Sequence, residues 1–412
     1  MDLFDKMAGL PSRHEQIVAV GQDPFGVRMD DMRSATEAVV EGRNVVLAGT
    51  NNYLGLTFDP ACIEAAQDAL GRHGTGTTGS RIANGTYAEH CALEDEIADF
   101  FGFASAMVFP TGYQANLGVI AALAGPDDYI LIDADCHACI YDGCLMTGAT
   151  VIRFRHNNPA DLEKRLQRLD SKDSNKLIIV EGLYSMFGDI APLAEFAEIK
   201  RKYNAYLYVD EAHSVGTYGE YGRGVAEHDG VLDQVDFVVG TFSKSLGSIG
   251  GFGTSNHRKF PYLRFASRPY MFTASLSPSN VASVTTALRR LRSDPSLKER
   301  LWSNARMLYQ RLGDLGLTLA APPGPIVAVK IPNQELAVRC WNKLLEAGVY
   351  VNLAIPPGTP NSTSLLRCSA STAHTPEQID WIAEAFAKVA KELAKAEQRA
   401  VDQRYAVSNP AE

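Results

Sequence analysis

The sequence predicts an α/β protein built on a large, mainly parallel sheet, followed by a smaller α+β domain. Three observations predict it. Between about residues 46 and 275, short apolar runs alternate with helix-like stretches. The clearest runs are Ala106–Phe109, Tyr129–Ile132, Leu177–Val180, Ala205–Val209 and Phe237–Val239, and Gly, Asp or Glu residues follow them. Polar groups therefore gather at the carboxyl ends of strands, where open α/β sheets bind ligands. Beyond about residue 276 the pattern changes to long helices with few strands.

These shifts divide the chain into an N-terminal arm (1–45), a large domain (46–275) and a small C-terminal domain (276–412). The last helix is readable in detail. Thr375 suits the N-cap and Pro376 the first helical position, and Ile379, Ile382, Phe386, Val389 and Leu393 fall on one face. Such a stripe is read as core.

Composition narrows the function. The 412 residues are 46% hydrophobic and 21% charged, with a formal net charge of −9. That balance argues against general affinity for nucleic acid, while leaving room for a local phosphate pocket. Seven cysteines are scattered through the chain, and the opening Met1-Asp2-Leu3-Phe4-Asp5-Lys6 is not a secretory signal, so free thiols and a cytoplasmic location are expected. No apolar run approaches the ~20 residues that cross a bilayer, so a lipid product would be made by a soluble or peripheral protein.

Three motifs suggest functions that their context denies. Gly74-Thr75-Gly76-Thr77-Thr78-Gly79 matches the dinucleotide fingerprint, yet a helix-like segment (60–72) precedes it and none opens from its last glycine. Asp210-Glu211-Ala212-His213 spells a helicase box, but the phosphate-binding loop a helicase requires is missing. Cys136, His137, Cys139 and Cys144 invite a metal reading, but no second cluster completes four ligands, and no metal is expected.

The residues that carry chemistry lie on neighbouring strand ends. Tyr206–Val209 delivers Asp210, with His213 three residues on. The run 236–240 ends in Thr241-Phe242-Ser243-Lys244, where hydroxyls beside a lysine can hold a phosphate and place an amine next to it. At Phe109-Pro110-Thr111-Gly112-Tyr113 a strand turns into a helix, presenting backbone N–H groups and the positive end of a helix dipole. An amine, an anion and a phosphate cradle are what pyridoxal 5′-phosphate needs.

With these blocks, and with Asn52-Tyr53-Leu54-Gly55-Leu56, Gly79-Ser80-Arg81, the 133–138 segment and Tyr184–Leu193, the sequence resembles the α-oxoamine synthases, fold-type I pyridoxal-phosphate enzymes, over about residues 25–390. The resemblance implies the aspartate aminotransferase-like fold and a homodimer with active sites at the subunit interface. It assigns Lys244 to cofactor attachment and to the base at Cα, and Asp210 to the ring nitrogen. His137 would stack on the ring, and His213 with Ser185 would meet the ring hydroxyl. Gly112, Tyr113, Thr241 and Ser243 would hold the phosphate, joined by Thr273 from the partner subunit. Arg367, Asn52 and Tyr53 fall on the substrate side.

The stretches 140–144, 153–157, 268–276, 301–306 and 365–369 most resemble the branch that condenses L-serine with a palmitoyl-CoA-like thioester, releasing CO₂ and thiol to give 3-oxosphinganine. The donor can be an acyl-CoA or an acyl carrier protein thioester. The alternative within the family is another amino ketone synthase, of the 8-amino-7-oxononanoate or signalling type. In the serine-using branch an arginine precedes the Pro-Pro of the 352–360 loop, where this chain has Ile355. Either Arg367 alone receives the substrate carboxylate, or the amino acid or acyl donor differs.

Overall fold

The computed structural model describes residues 2–169 and 174–408. The chain divides into two compact units, one of residues 51–185 and 189–301, the other of 1–50, 186–188 and 302–412. Three strands open the chain: β1 (Met29–Met32), β2 (Glu37–Val40) and β3 (Arg43–Leu47). Seven follow: β4 (Ser105–Phe109), β5 (Tyr129–Asp133), β6 (Thr150–Phe154), β7 (Lys176–Glu181), β8 (Tyr206–Asp210), β9 (Phe237–Thr241) and β10 (Gly251–Ser255). The last four are β11 (Ile326–Ile331), β12 (Val349–Tyr350), β13 (Asn352–Ala354) and β14 (Ser364–Ser369).

The larger unit is organised by a seven-stranded sheet in the order β4-β10-β9-β8-β7-β5-β6. All neighbours pair in parallel except β10, which runs antiparallel to both β4 and β9. The five apolar runs read from the sequence are β4, β5, β7, β8 and β9. Their interiors are buried on both faces, as Leu177–Val180 and Phe237–Val239 illustrate. A strand covered on both sides has no solvent face, so its sequence is continuous in Val, Ile and Leu rather than alternating. Four strands then end on a polar residue at the same edge: Asp133, Glu181, Asp210 and Thr241. The Gly74–Gly79 segment is a loop between helices Pro60–His73 and Ala88–Phe101, the context that denies it a dinucleotide.

In the smaller unit, β1, β2 and β3 pair antiparallel and β12 adds in parallel to β3, while β11, β14 and β13 form a second sheet. The helix Pro376–Ser408 closes this unit. The Thr375 hydroxyl accepts the Gln378 N–H at 3.2 Å, and Ile379, Ile382, Phe386 and Val389 are buried in one apolar core. Ile355 is only 7% exposed in that same core, so the position is occupied by packing. Arg367, on the central strand β14, is buried and donates to Ser369 Oγ at 3.1 Å. No helix among the described residues is long and apolar enough to cross a membrane.

Candidate active site

A cavity of about 320 Å³ opens at the carboxyl edge of the large sheet. Its wall contains Gly112, Tyr113, His137, Asp210, His213, Thr241, Ser243 and Lys244, eight residues singled out from sequence. They arrive from four strand ends, so the topology gathers what the chain spreads over more than a hundred residues. Ser185, Thr273, Asn52 and Tyr53 belong to the same unit but do not line the cavity.

At one end lies a cradle. Thr111 caps the helix Gly112–Leu123, its hydroxyl accepting the Gln114 N–H at 3.0 Å. The Gly112 and Tyr113 amides head the helix, where no intrahelical acceptor exists. A Cβ on Gly112 would stand 2.7 Å from Thr241 Cβ, and one on Gly251 would stand 2.6 Å from Gly112 Cα. Only glycine permits this approach, which presses β9 and β10 against the helix start. Thr241 Oγ1 donates to the Gly250 carbonyl at 2.9 Å and lies 2.8 Å from Ser243 Oγ.

The other end is acidic and buried. Asp210 accepts the Ala212 N–H at 2.8 Å on one oxygen and the Asn116 side-chain amide at 2.7 Å on the other. Asn116 is itself held by the Tyr208 hydroxyl, which donates to its Oδ1 at 2.7 Å. Both Asn116 and Tyr208 are buried. Beside Asp210, Glu181 also lines the cavity and accepts the His137 backbone N–H.

Two imidazoles complete the wall. His137 Nδ1 accepts the Cys139 N–H at 3.2 Å, which puts the proton of the neutral ring on Nε2. Burial pushes its pKa below the ordinary histidine value, and Lys244 works in the same direction against Asp210. His213 Nδ1 is 2.8 Å from the hydroxyl of fully buried Tyr53. Tyr53 therefore stands behind His213, while Asn52 donates to Thr57 Oγ1 at 2.7 Å. Thr273 Oγ1 accepts from Gln114 Nε2 at 3.3 Å, one turn into the cradle helix.

The Cys136 and Cys139 thiols are buried, and burial raises both pKa values. Among the described residues no group of three His, Cys, Asp or Glu side chains assembles to hold a metal.

A second cluster lies at the end of β5. His156 bonds Asp133 through Nδ1 at 2.8 Å and Asp189 through Nε2 at 2.7 Å, and packs edge-on against Tyr184. Although burial opposes the charge, the two carboxylates lift its pKa to about 10. This imidazolium ties the end of β5, and hence the turn to His137, to the 182–192 loop that carries Ser185.

The chain matches the model of the aminotransferase class I and II family over residues 43–386. It belongs to that family. Among its most similar relatives are proteins named serine palmitoyltransferase, from Caulobacter vibrioides (54% identical; 95% of this chain, 97% of the relative) and Sphingomonas paucimobilis (50%; 92% and 91%). A solved Sphingomonas paucimobilis serine palmitoyltransferase variant with a bound PLP–myriocin aldimine superposes with a TM-score of 0.94, at 49% identity over 96% of this chain and 100% of that one. An 8-amino-7-oxononanoate synthase from Francisella tularensis is more distant, with a TM-score of 0.73 at 26% identity over 86% and 99% of the two chains. Within this aminotransferase family the chain is a fold-type I, pyridoxal-phosphate-dependent acyltransferase of the α-oxoamine synthase type.

The residues present fit the cofactor. The helix-start amides and the hydroxyls of the cradle suit a phosphate, buried Asp210 suits a protonated ring nitrogen, and Lys244 lines the same cavity. Asn116 and Glu181 had not been singled out from sequence. Glu181 left a trace as the polar terminus of the Leu177–Val180 run; Asn116 closes the Phe109–Asn116 stretch in which a strand turns into the cradle helix, with nothing in that stretch to mark its partner.

Proposed function

We propose that this chain condenses L-serine with a long-chain acyl thioester, releasing CO₂ and free thiol and yielding 3-oxosphinganine. The observation that carries the reading is the assembly of Lys244, Asp210, His137, His213 and the Gly112–Thr241 cradle around one cavity. Identity of 50–54% to serine palmitoyltransferases supports the substrate pair. Relatives of 36–40% identity include both activities, so only the higher values separate serine from the 8-amino-7-oxononanoate alternative.

Pyridoxal 5′-phosphate, when bound, supplies the electron sink that makes a carbanion at Cα accessible. Lys244 would hold it through its side-chain amine and would take the Cα proton of the amino acid; proton transfers of this kind contribute about 10²–10⁴-fold in rate. Asp210 keeps the ring nitrogen protonated through a charge-assisted hydrogen bond worth about 1.5–3 kcal/mol. His137, neutral and held by Cys139, offers a flat ring face. His213, fixed at Nδ1 by Tyr53, meets the ring hydroxyl together with Ser185. Gly112, Tyr113, Thr241 and Ser243 bind the phosphate, with Thr273 supplied by a second copy of the chain in a homodimer. Arg367 pairs with the serine carboxylate, a planar anion that suits a guanidinium fork, and Asn52 lies with Tyr53 on the substrate side. The donor is an acyl-CoA or an acyl carrier protein thioester, and the enzyme works in the cytoplasm with its lipid product reached by peripheral membrane contact.

A substrate matrix tests this reading. Amino acids are crossed with acyl-CoAs of increasing length, following thiol release and product mass. Serine with a C16 donor is expected to give 3-oxosphinganine; turnover confined to another pair would overturn the assignment. Lys244→Ala is expected to abolish both turnover and the cofactor's lysine-bound absorption band.

A further inference from the structure

Glu181 and Asp210 end adjacent parallel strands in direct register. Neighbouring strands lie about 4.8 Å apart, so two carboxyl groups share one buried corner of the cavity. Two like charges so placed do not both ionise cheaply. Their surroundings differ in kind. Asp210 is met by a side-chain amide and a backbone N–H, one on each oxygen. Glu181 is turned toward the His137 backbone, accepting its N–H at 2.5 Å.

We propose that Glu181 is a positioning residue of this site: it enters as a neutral carboxylic acid, pins the His137 turn, and leaves the negative charge to Asp210. The inference rests on the reading that Asp210 faces the cofactor ring. Burial, reinforced by the charge of Asp210, holds the Glu181 carboxyl well above the usual carboxylate range, while Lys244 and the His137 N–H act the other way. The other groups that face it do not reverse the balance. The Cys136 and Cys139 thiols and the Tyr184 phenol have their pKa values raised by burial and are uncharged. Asp133, at the end of β5, is bridged by His156. His137 is itself shifted toward neutrality.

A neutral acid has a neutral isostere, and this gives the test. Holoenzyme is prepared for the wild type, Glu181→Gln and Glu181→Leu. For each, pyridoxal phosphate affinity, the pH midpoint of the bound cofactor's absorption and the thermal midpoint are measured. Glu181→Gln retains a carbonyl for the His137 N–H and changes no charge, so its absorption midpoint is expected within about 0.3 pH units of wild type. Glu181→Leu removes the acceptor and is expected to weaken cofactor affinity about tenfold. A midpoint lowered by about one unit or more in Glu181→Gln would mean that an anion had been removed, and would overturn the proposal. Unchanged affinity in a folded Glu181→Leu would overturn it equally. Failure of the cofactor reading is distinguishable, because the absorption band would then be missing from the wild type as well.

Discussion

Three consecutive ends of the large sheet carry acids, yet they are used in two different ways. Asp133, with Asp189 across from it, receives the charged imidazole of His156. Glu181 and Asp210, one and two strands along, receive amides, and the nearby cation, Lys244, lines the cavity with them. The first cluster is closed: each His156 nitrogen is spent on a carboxylate, and its product is a fixed loop. The second is open on one side, and the Asp210 charge is oriented toward a cavity. Identical strand-end geometry thus gives an anchor where a counter-charge is built in, and a reactive centre where it is left for a ligand.

The contrast can be broken at its open end first. Asp210→Asn keeps the shape and one of the two acceptor oxygens but removes the charge, and kcat is expected to fall about 10²–10³-fold, the loss typical of a preorganised electrostatic group. A loss under tenfold would put Asp210 on the anchoring side of the comparison. Ile355 examines the opposite case, a charge with nowhere to go. Its surroundings are an apolar core, so Ile355→Arg is expected to cost about 3 kcal/mol in denaturant titration without lowering the KM for serine. A stable variant with improved serine KM would show that the loop can present position 355 to substrate.

The smallest effect is expected at the closed cluster. His156→Gln should cost about 2 kcal/mol, less than a fully buried pair because the ring is 22% exposed. The sign with pH follows from the direction of its shift. A histidine whose folded pKa is raised to about 10 contributes its full stability below its unfolded value of about 6.5, and loses it as the pH rises through about 10. The gap between wild type and variant should therefore narrow from pH 6.5 to 10. A constant gap would show that the ring works by packing alone.

What was legible in the sequence follows from what each segment does locally. β7 and β9 are buried on both faces, so their apolar runs announce them. β10 does not announce itself, because Gly251-Phe252-Gly253-Thr254-Ser255 lacks a β-branched run, and the glycines that hide it are required by close packing. Gly251 meets Gly112, and a Cβ on Gly253 would stand 2.8 Å from Val119. In the site, Lys244, Asp210 and His213 were readable because each sits in a strand-end motif. Asn116 was not, since its meaning comes from Asp210, 94 residues away. The same holds for Glu181, whose meaning comes from the His137 backbone N–H it accepts, and for the three members of the His156 bridge.

The cradle carries a consequence for anyone altering this enzyme. Gly112, Gly251 and Thr241 touch within the radius of a single methyl group. A methyl at Gly112 would run into the Thr241 side chain and one at Gly251 into the Gly112 backbone, so a change at either glycine forces two strands and a helix to part. A library randomised at single positions will find the phosphate end a barren landscape, and a new anion specificity will have to be sought by moving all three segments together.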